Sequence, residues 1–496
     1  MSSENNSLNQ VIKHRLEKLN KIKDAGINPF PYSYTSTHKI VNILAEQENL
    51  LNSHVSISGR IVSFRKMGKA SFIHIQEESS KLQVYAKSDI LPDTIYDNIV
   101  RNLDLGDIVG ISGDLFITKM GELTVKTTGL ELLSKNIRPL PNLKEKDGEA
   151  FNAFEDKELR YRHRHLDLIA NPEVMDVFKL RAKIISTIRS ELDAQDYIEV
   201  ETPILQNIYG GASARPFTTF HNTLEQKLYL RIADELYLKR LIIGGFTKVY
   251  EIAKNFRNEG MDRNHNPEFT ALEFYQAYAD VYVMMDLTEA IIHNVAKEIS
   301  KKEVEFSGHK IDISQTFIRK SMFSLLNEAT DEAVDKMDSQ ALFALAKTKN
   351  ISVEKNMNYG QLLDCIFGAL IEPKLVQPTF VTDYPKAISP LAKVSRDGNP
   401  EIVERFELFI GGMEFANSFT ELNDPIEQRN RLEAQSRLRD LGDDEAQVID
   451  EEFLMAMETG MPPTGGVGIG VDRLVMLLTE QDSIKDVLLF PAMRPE

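Results

Sequence analysis

Hydrophobic positions along the chain change period several times. In VIKHRLEKLNKIKDAGI (11–27) they recur at helical spacing and Gly26 supplies a stop. The spacing predicts an amphipathic helix whose polar face is either simply solvated or a basic accessory for RNA. From Val55 the period falls to two: VSISGRIVSFRKMGKASFIHIQEESSKLQVYA alternates, with turns at Met67-Gly68 and Glu78–Ser80. A helix is expected around 91–103, and GDIVGISGDLFITKMGELTVKTTGLELLS then supplies two or three more strands. RPLPNLKEKDGE (138–149), with two prolines and mixed charge, reads as an interdomain linker. Beyond it helices and antiparallel-type strands follow without the βαβα alternation of a doubly wound sheet, and 315–370 reads as a mostly helical insertion.

Five strands with one helix between the third and fourth is the order of an OB-fold, a small barrel that binds oligonucleotides across one face. Other five-stranded barrels fit the pattern equally. The expected chain is multidomain α+β. A helical extension (1–54) and a barrel (55–137) precede the linker (138–149), and an antiparallel sheet flanked by helices fills 150–496.

Two strand pairs in the larger part mix charge with aromatics. KVYEIAKNFR (248–257) and EFTALEFYQAY (268–278) flank the polar loop NEGMDRNHNP. Alternation puts Tyr250, Ile252 and Phe256 on one face of the first strand, and Glu251, Asn255 and Arg257 on the other. In the second, Phe269, Glu273 and Tyr275 oppose Leu272 and Phe274. Carboxylates, an arginine and aromatics on one face suit a lined pocket better than a solvated surface. FELFI and MEFANSF, joined by Gly411-Gly412, form a second hairpin. Its expected register opposes Glu407 to Ala416 and Phe409 to Glu414, which makes Glu407 and Glu414 diagonal neighbours. That alternation turns Asn417, Phe419 and Glu421 to the other face, so one cavity lined by both sets requires a bulge or twist.

Composition narrows the class. The 496 residues are 42% hydrophobic and 27% charged, ordinary for a soluble globular chain. A single cysteine, Cys365, excludes an internal disulfide framework and a CxxC zinc site. The N-terminus lacks a basic-then-apolar leader and no apolar run is long enough to span a bilayer, so a cytoplasmic, non-membrane protein is expected. Net charge is −17, yet residues 1–150 hold 19 Lys/Arg against 18 Asp/Glu, which leaves a local RNA site possible there. No P-loop occurs, Gly466-Val-Gly468-Ile-Gly470 lacks the third glycine of a dinucleotide fingerprint, and HExxH is absent.

Three segments in order resemble class II aminoacyl-tRNA synthetases. LRAKIISTIRSELDAQDYIEVETPIL with Pro203 is similar to motif 1. Phe256-Arg257-Asn258-Glu259 with Arg263 and Pro267-Glu268-Phe269 is similar to motif 2, and Gly466 to Leu474 to motif 3. A preceding OB-fold resembles the aspartate, asparagine and lysine subgroup. GGASARPF (210–217), IADELYLKRL (232–241) and FANSFTELNDP (415–425) look like the class II lysyl-tRNA synthetases in particular.

The resemblance implies activation of L-lysine by ATP with Mg²⁺, transfer to tRNA(Lys), and a homodimer. It implies catalytic roles for Arg257 and Arg473, toward the α- and γ-phosphates respectively, and ATP contacts from Glu259, His265 and Phe269. His265 as a plain loop histidine is the competing reading. It further implies lysine binding by Gly211, Glu235, Glu273, Tyr275, Asn417, Phe419, Glu421 and Gly468, and metal binding by Glu407 and Glu414. Acidic partners suit an ammonium withdrawn from water, whereas an aspartate enzyme would place Lys or Arg there. In the barrel, Phe72, Gln83 and Glu122 are implied anticodon contacts, with Phe72 as barrel core the alternative.

Overall fold

The computed structural model describes residues 2–141, 143–146, 149–152, 154–354, 357–440 and 447–495. The chain forms two compact units, 1–176 and 177–496.

The first unit opens with helix α1 (Ser2–Asp24), which stops at Gly26, a left-handed residue at φ 76° that glycine adopts without strain. Strands β1 (His54–Met67), β2 (Ala70–Glu77), β3 (Ser80–Lys87), β4 (Ile108–Ile117) and β5 (Leu123–Ser134) close into a barrel of order β1-β2-β3-β5-β4. A short helix, Asp93–Asn98, and a 3₁₀ turn, Val100–Asn102, bridge β3 to β4. This is the OB-fold order that the alternation predicts. Inward residues such as Val55, Ile57, Ile73, Ile75, Val84 and Val125 fill the barrel. The buried Lys135 ammonium lies 2.6 Å from Asp104 and 2.8 Å from Asp107. Lys18 of α1 reaches Asp104 at 2.5 Å and fastens the helix to the barrel. Within the stretch read as a linker, Leu143–Lys146 pairs with Glu149–Asn152; residues 142, 147 and 148 lie outside the described residues.

The second unit is built on a sheet of eight strands. They are β6 (Ile198–Glu199), β7 (Lys248–Phe256), β8 (Glu268–Ala277), β9 (Ile318–Ser321), β10 (Thr379–Pro385), β11 (Ile402–Ile410), β12 (Met413–Thr420) and β13 (Thr464–Gly470). Their spatial order is β9-β10-β11-β12-β13-β8-β7-β6. The central pairs are antiparallel, while the two edge pairs, β6 with β7 and β9 with β10, are parallel. The sheet is therefore mixed rather than wholly antiparallel. Helices α2 (Val174–Asp193), α4 (Val281–Glu298) and α5 (Val471–Leu478) supply apolar side chains to its inner face; α3 (Glu235–Ile243) packs at the β7–β8 end. Tyr250, Leu272, Phe274, Leu408, Ala416, Val467 and Ile469 belong to that core. Helices Met322–Thr330, Ser339–Thr348 and Tyr359–Leu370 form a core of their own beside β10 and β11.

The opposite face carries the chemistry. One cross-strand row runs Glu251–Glu273–Gly468–Asn417–Glu407 through five strands. The next runs Val249–Tyr275–Gly466–Phe419–Arg405. The expected register of the β11–β12 hairpin is corrected here: Glu407 opposes Asn417, not Ala416. The ladder shifts between Leu408 and Phe409, leaving Phe415 as an extra residue. Phe415 and Ala416 consequently both enter the apolar core, and Glu414 lands on the same face as Asn417 and Phe419. Both sets of residues thus share one surface.

Asp472, at the start of α5, fastens three elements. Its carboxylate receives the Arg181 guanidinium of α2 at 2.6 Å and the backbone N–H of Thr270 of β8 at 2.7 Å. Removing it strands a largely buried arginine. Asp472→Ala is expected to destabilise this unit by about 3–5 kcal/mol in denaturant unfolding followed by circular dichroism. A change within about 0.5 kcal/mol would contradict the assignment.

Candidate active site

A cavity of about 400 Å³ opens on the polar face of the second unit. Its walls include Gly211, Glu235, Arg257, Glu259, His265, Phe269, Glu273, Tyr275, Glu407, Glu414, Asn417, Phe419, Glu421, Gly468 and Arg473. Every candidate residue of this unit is therefore brought to one place.

The cavity has a cationic end. Arg257, one residue beyond β7, lies with its guanidinium 5.1 Å from the Phe269 ring centroid. Burial pulls its pKa below the ordinary arginine value, and its Nε has no hydrogen-bond partner among the described residues. Arg473 of α5 donates to the Glu414 backbone carbonyl at 2.6 Å and stands 3.2 Å from His265 Nε2. His265 Nδ1 lies 2.9 Å from Asp262. The histidine thus bridges the hairpin loop to Arg473 while its side chain stays half exposed, so it is not simply a solvated loop residue. Glu259 lies exposed at the cavity mouth.

The other end is acidic and more deeply buried. Glu235 and Glu421 flank the Lys239 ammonium, an i+4 partner of Glu235 on α3. Lys239 Nζ is 2.5 Å from Glu421. Burial alone would lower the Lys239 pKa; the two carboxylates reverse this and push it up to about 12. Burial also raises the Glu421 carboxyl, to about 8, but direct contact with the ammonium makes the ionised pair the form we assign. Tyr275 donates to Glu273 at 3.0 Å. Burial raises the Glu273 pKa well above its usual range, and neighbouring Asp234 adds to the rise.

The β13 glycines make room. A Cβ on Gly466 would strike both Glu421 Oε1 and the Tyr275 ring. Gly468 faces the cavity between Glu273 and Asn417. The period-two glycines that fail as a dinucleotide fingerprint instead clear one face of a central strand.

At the third corner, Tyr384 donates to Glu407 at 2.8 Å, and Arg405 also pairs with Glu407. Arg405 bonds Asn417 at 3.1 Å and packs 4.6 Å from the Tyr384 ring. Glu414 remains half exposed, 3.7 Å from Arg473.

In the barrel, Phe72 stands on the outer face, since Ile73 and Ile75 take the core. Its ring lies 5.0 Å from Tyr85, which is 6.4 Å from Phe116. Gln83 donates to Glu122, and His74 lies 2.8 Å from that carboxylate. The three candidates therefore sit together. Tyr85, Phe116 and His74 were not anticipated, although their alternation with core residues places them on this face. Asp234, Lys239 and Arg405 were missed as well; of these, only the i,i+4 spacing of Lys239 from Glu235 carried a usable signal.

Cationic and acidic ends of one cavity, on a largely antiparallel sheet without a P-loop, define an enzyme that activates a carboxylate with a nucleotide, in the manner of class II synthetases. Sequence comparison agrees: residues 156–494 match the tRNA synthetases class II (D, K and N), and residues 55–133 match the OB-fold nucleic acid binding domain. The chain belongs to the class II tRNA synthetase family. It is similar to a lysine–tRNA ligase of Carboxydothermus hydrogenoformans, with 49% identity over 99% of both chains. Another, from Moorella thermoacetica, is 47% identical over 98% of both. A third, from Porphyromonas gingivalis, is 47% identical over 97% of this chain and 85% of its own. Among the described residues no helix is long and apolar enough to cross a membrane.

The crowded carboxyls set a pH dependence. Burial raises Asp234 to about 6 and Glu372, beside Glu407 and Asp364, to about 7. Unfolded carboxyls titrate near pH 4. The folded chain binds these protons more tightly, so their contribution is complete below about pH 4 and is lost as pH rises through about 6 and 7. The melting temperature of the ligand-free protein is expected to fall by a few degrees from pH 5 to pH 8, read by calorimetry; a rise over that range would contradict it.

Proposed function

We propose that this chain is a lysine–tRNA ligase that activates L-lysine with ATP and passes it to the terminal ribose of tRNA(Lys). The observation that carries the reading is the cavity itself, cationic and aromatic at Arg257, Phe269 and Arg473, acidic at Glu235, Glu273 and Glu421. ATP supplies the anion and the stacking base, and lysine supplies the ammonium.

In the first step the lysine carboxylate attacks the α-phosphorus, an oxygen–phosphorus bond forms, and pyrophosphate leaves with the electrons of the broken bond. No protein base is required, because the carboxylate is ionised at neutral pH. Arg257 stabilises charge on the α-phosphate, Arg473 holds the γ-phosphate, and Phe269 stacks on adenine. The loop residues Glu259 and His265 contact the nucleotide. Glu235 and Gly211 address the α-amino end of lysine. Glu273, Tyr275 and Glu421 receive its side-chain ammonium, while Asn417, Phe419 and Gly468 shape the space. In the second step the tRNA ribose hydroxyl attacks the acyl carbonyl and AMP departs.

Glu407 and Glu414 on one surface offer hard oxygen donors that fit Mg²⁺, with Arg405 and Tyr384 fixing Glu407. When bound, the ion neutralises and orients the ATP phosphates. On the barrel, Phe72 stacks on an unpaired anticodon base and the Gln83–Glu122 pair reads its edge. A cytoplasmic homodimer is the expected form of the enzyme.

Lysine-dependent exchange of pyrophosphate into ATP is the direct test; exchange driven by aspartate and not by lysine would overturn the assignment. Arg257→Ala should lower exchange by about 10²-fold or more with folding unchanged. Phe72→Ala should leave exchange intact and raise the KM for tRNA by roughly ten-fold or more, as loss of one base stack predicts.

A further inference from the structure

We propose that Arg405 is a positioning residue for the substrate carboxylate: its guanidinium holds the Asn417 side-chain oxygen, so that Asn417 faces the cavity as a hydrogen-bond donor. The inference rests on the lysine reading above and deepens it.

Arg405 lines the cavity and ties several of its walls together. Its Nε donates to Asn417 Oδ1 on β12 at 3.1 Å. One terminal nitrogen donates to the Ile388 carbonyl at 3.1 Å and to the Ser389 hydroxyl at 2.9 Å. The other pairs with Glu407 on its own strand. The guanidinium also lies 4.6 Å from the Tyr384 ring centroid and 5.5 Å from that of Phe419. A planar fork held by acceptors at its edge and rings at its faces has little freedom to turn.

That contact fixes the neighbouring amide. An arginine N–H can only donate, so the Asn417 atom it meets must be the oxygen. The Asn417 nitrogen is left for the cavity that this residue lines, and it donates to nothing among the described residues.

Register places this donor along the substrate. Asn417 lies between Gly468 and Glu407 in its cross-strand row, with Glu273 beyond Gly468. Gly468 brings no side chain between them. Two strand spacings of about 4.8 Å each separate Asn417 from Glu273, a span comparable to that of an extended lysine from ammonium to carboxylate. With its ammonium at Glu273, the substrate brings its carboxylate to Asn417, beside Glu407. A carboxylate arriving there meets another anion, and the Asn417 donor and the Arg405 charge offset that repulsion. Arg405 spends its N–H groups on the protein and acts through Asn417.

The test is calorimetric titration of the full chain with L-lysine and with L-lysinol, in which a hydroxymethyl replaces the carboxylate. The wild type is expected to prefer L-lysine. R405K cannot reproduce the planar set of donors. Its affinity for L-lysine is expected to fall by about ten-fold, the weight of one hydrogen bond to a charged group, while its affinity for L-lysinol stays close to the wild-type value. A purely structural role would weaken both ligands alike, and that result overturns the proposal. N417D keeps an oxygen for Arg405 but has no donor, so it is expected to lose L-lysine affinity and to keep or tighten L-lysinol. Tighter L-lysine binding by N417D overturns the proposal as well. Should R405K fail to fold, N417D decides alone. A wild type that binds both ligands equally overturns the proposal and leaves the lysine reading standing; one that binds neither overturns both.

Discussion

Burying charge is costly unless a partner is present, and that constraint organises the polar face of the large sheet. Nearly every buried carboxyl there has a dedicated cation. Glu251 has Arg231, Glu235 and Glu421 share Lys239, Glu407 has Arg405, and Asp472 has Arg181. Arg257 stands outside this pairing, with no ion-pair partner among the described residues. Glu273 and Asp234 likewise meet no cation there; Glu273 receives the Tyr275 hydroxyl and Asp234 the Asn255 amide. On the reading proposed above, ATP phosphates complete the first and a substrate ammonium the second.

Sheet geometry makes the arrangement possible. Five strands contribute one residue each to the row from Glu251 to Glu407, and such a row stays on one face only while the register holds. The bulge at Phe415 is what lets Glu414 join Asn417 and Phe419 on that face. Without the extra residue, Glu414 would point into the apolar core, away from Glu407. The same bulge sends Phe415 and Ala416 into that core together, so a single irregularity serves packing and site at once.

Much of this was legible in the sequence because it follows from period-two alternation. The barrel strands, the β7–β8 hairpin and the faces of Glu273, Tyr275 and Phe269 all follow from it. The β11–β12 register was not legible. A bulge adds one residue without changing composition, and nothing in FELFI or MEFANSF marks where it falls. The parallel edge strands escaped for a different reason: β6 has two residues and β9 four, too short for alternation to register. Asp234 escaped because its partner Asn255 lies on another element, which leaves no local pattern; Arg405 sits two residues from Glu407 on one strand face, a spacing that solvated charge pairs also show. Phe72 could not be told from core by its own identity, since an aromatic suits either face; only the placement of Ile73 and Ile75 inside the barrel decides it.

On the lysine reading proposed above, Lys239 shapes the charge that the substrate meets. An enzyme that binds lysine has placed a lysine of its own against two of its acidic residues. Were Lys239 absent, Glu235 and Glu421 would lie near each other with no cation between them. Mutual repulsion would then drive protons onto the carboxyls, and a protonated carboxyl gives little discrimination between a charged and an uncharged side chain. Lys239 contacts both Glu235 and Glu421, and Glu421 Oε1 keeps no hydrogen-bond partner of its own among the described residues. On the reading proposed above, the lysine side chain then meets a cavity end where carboxyls outnumber cations. An apolar side chain of equal length would leave that excess unpaired in a dry cavity, and the resulting penalty is the source of specificity. On the reading proposed above, selectivity for a cation rests on carboxyls that a second, internal cation holds in place.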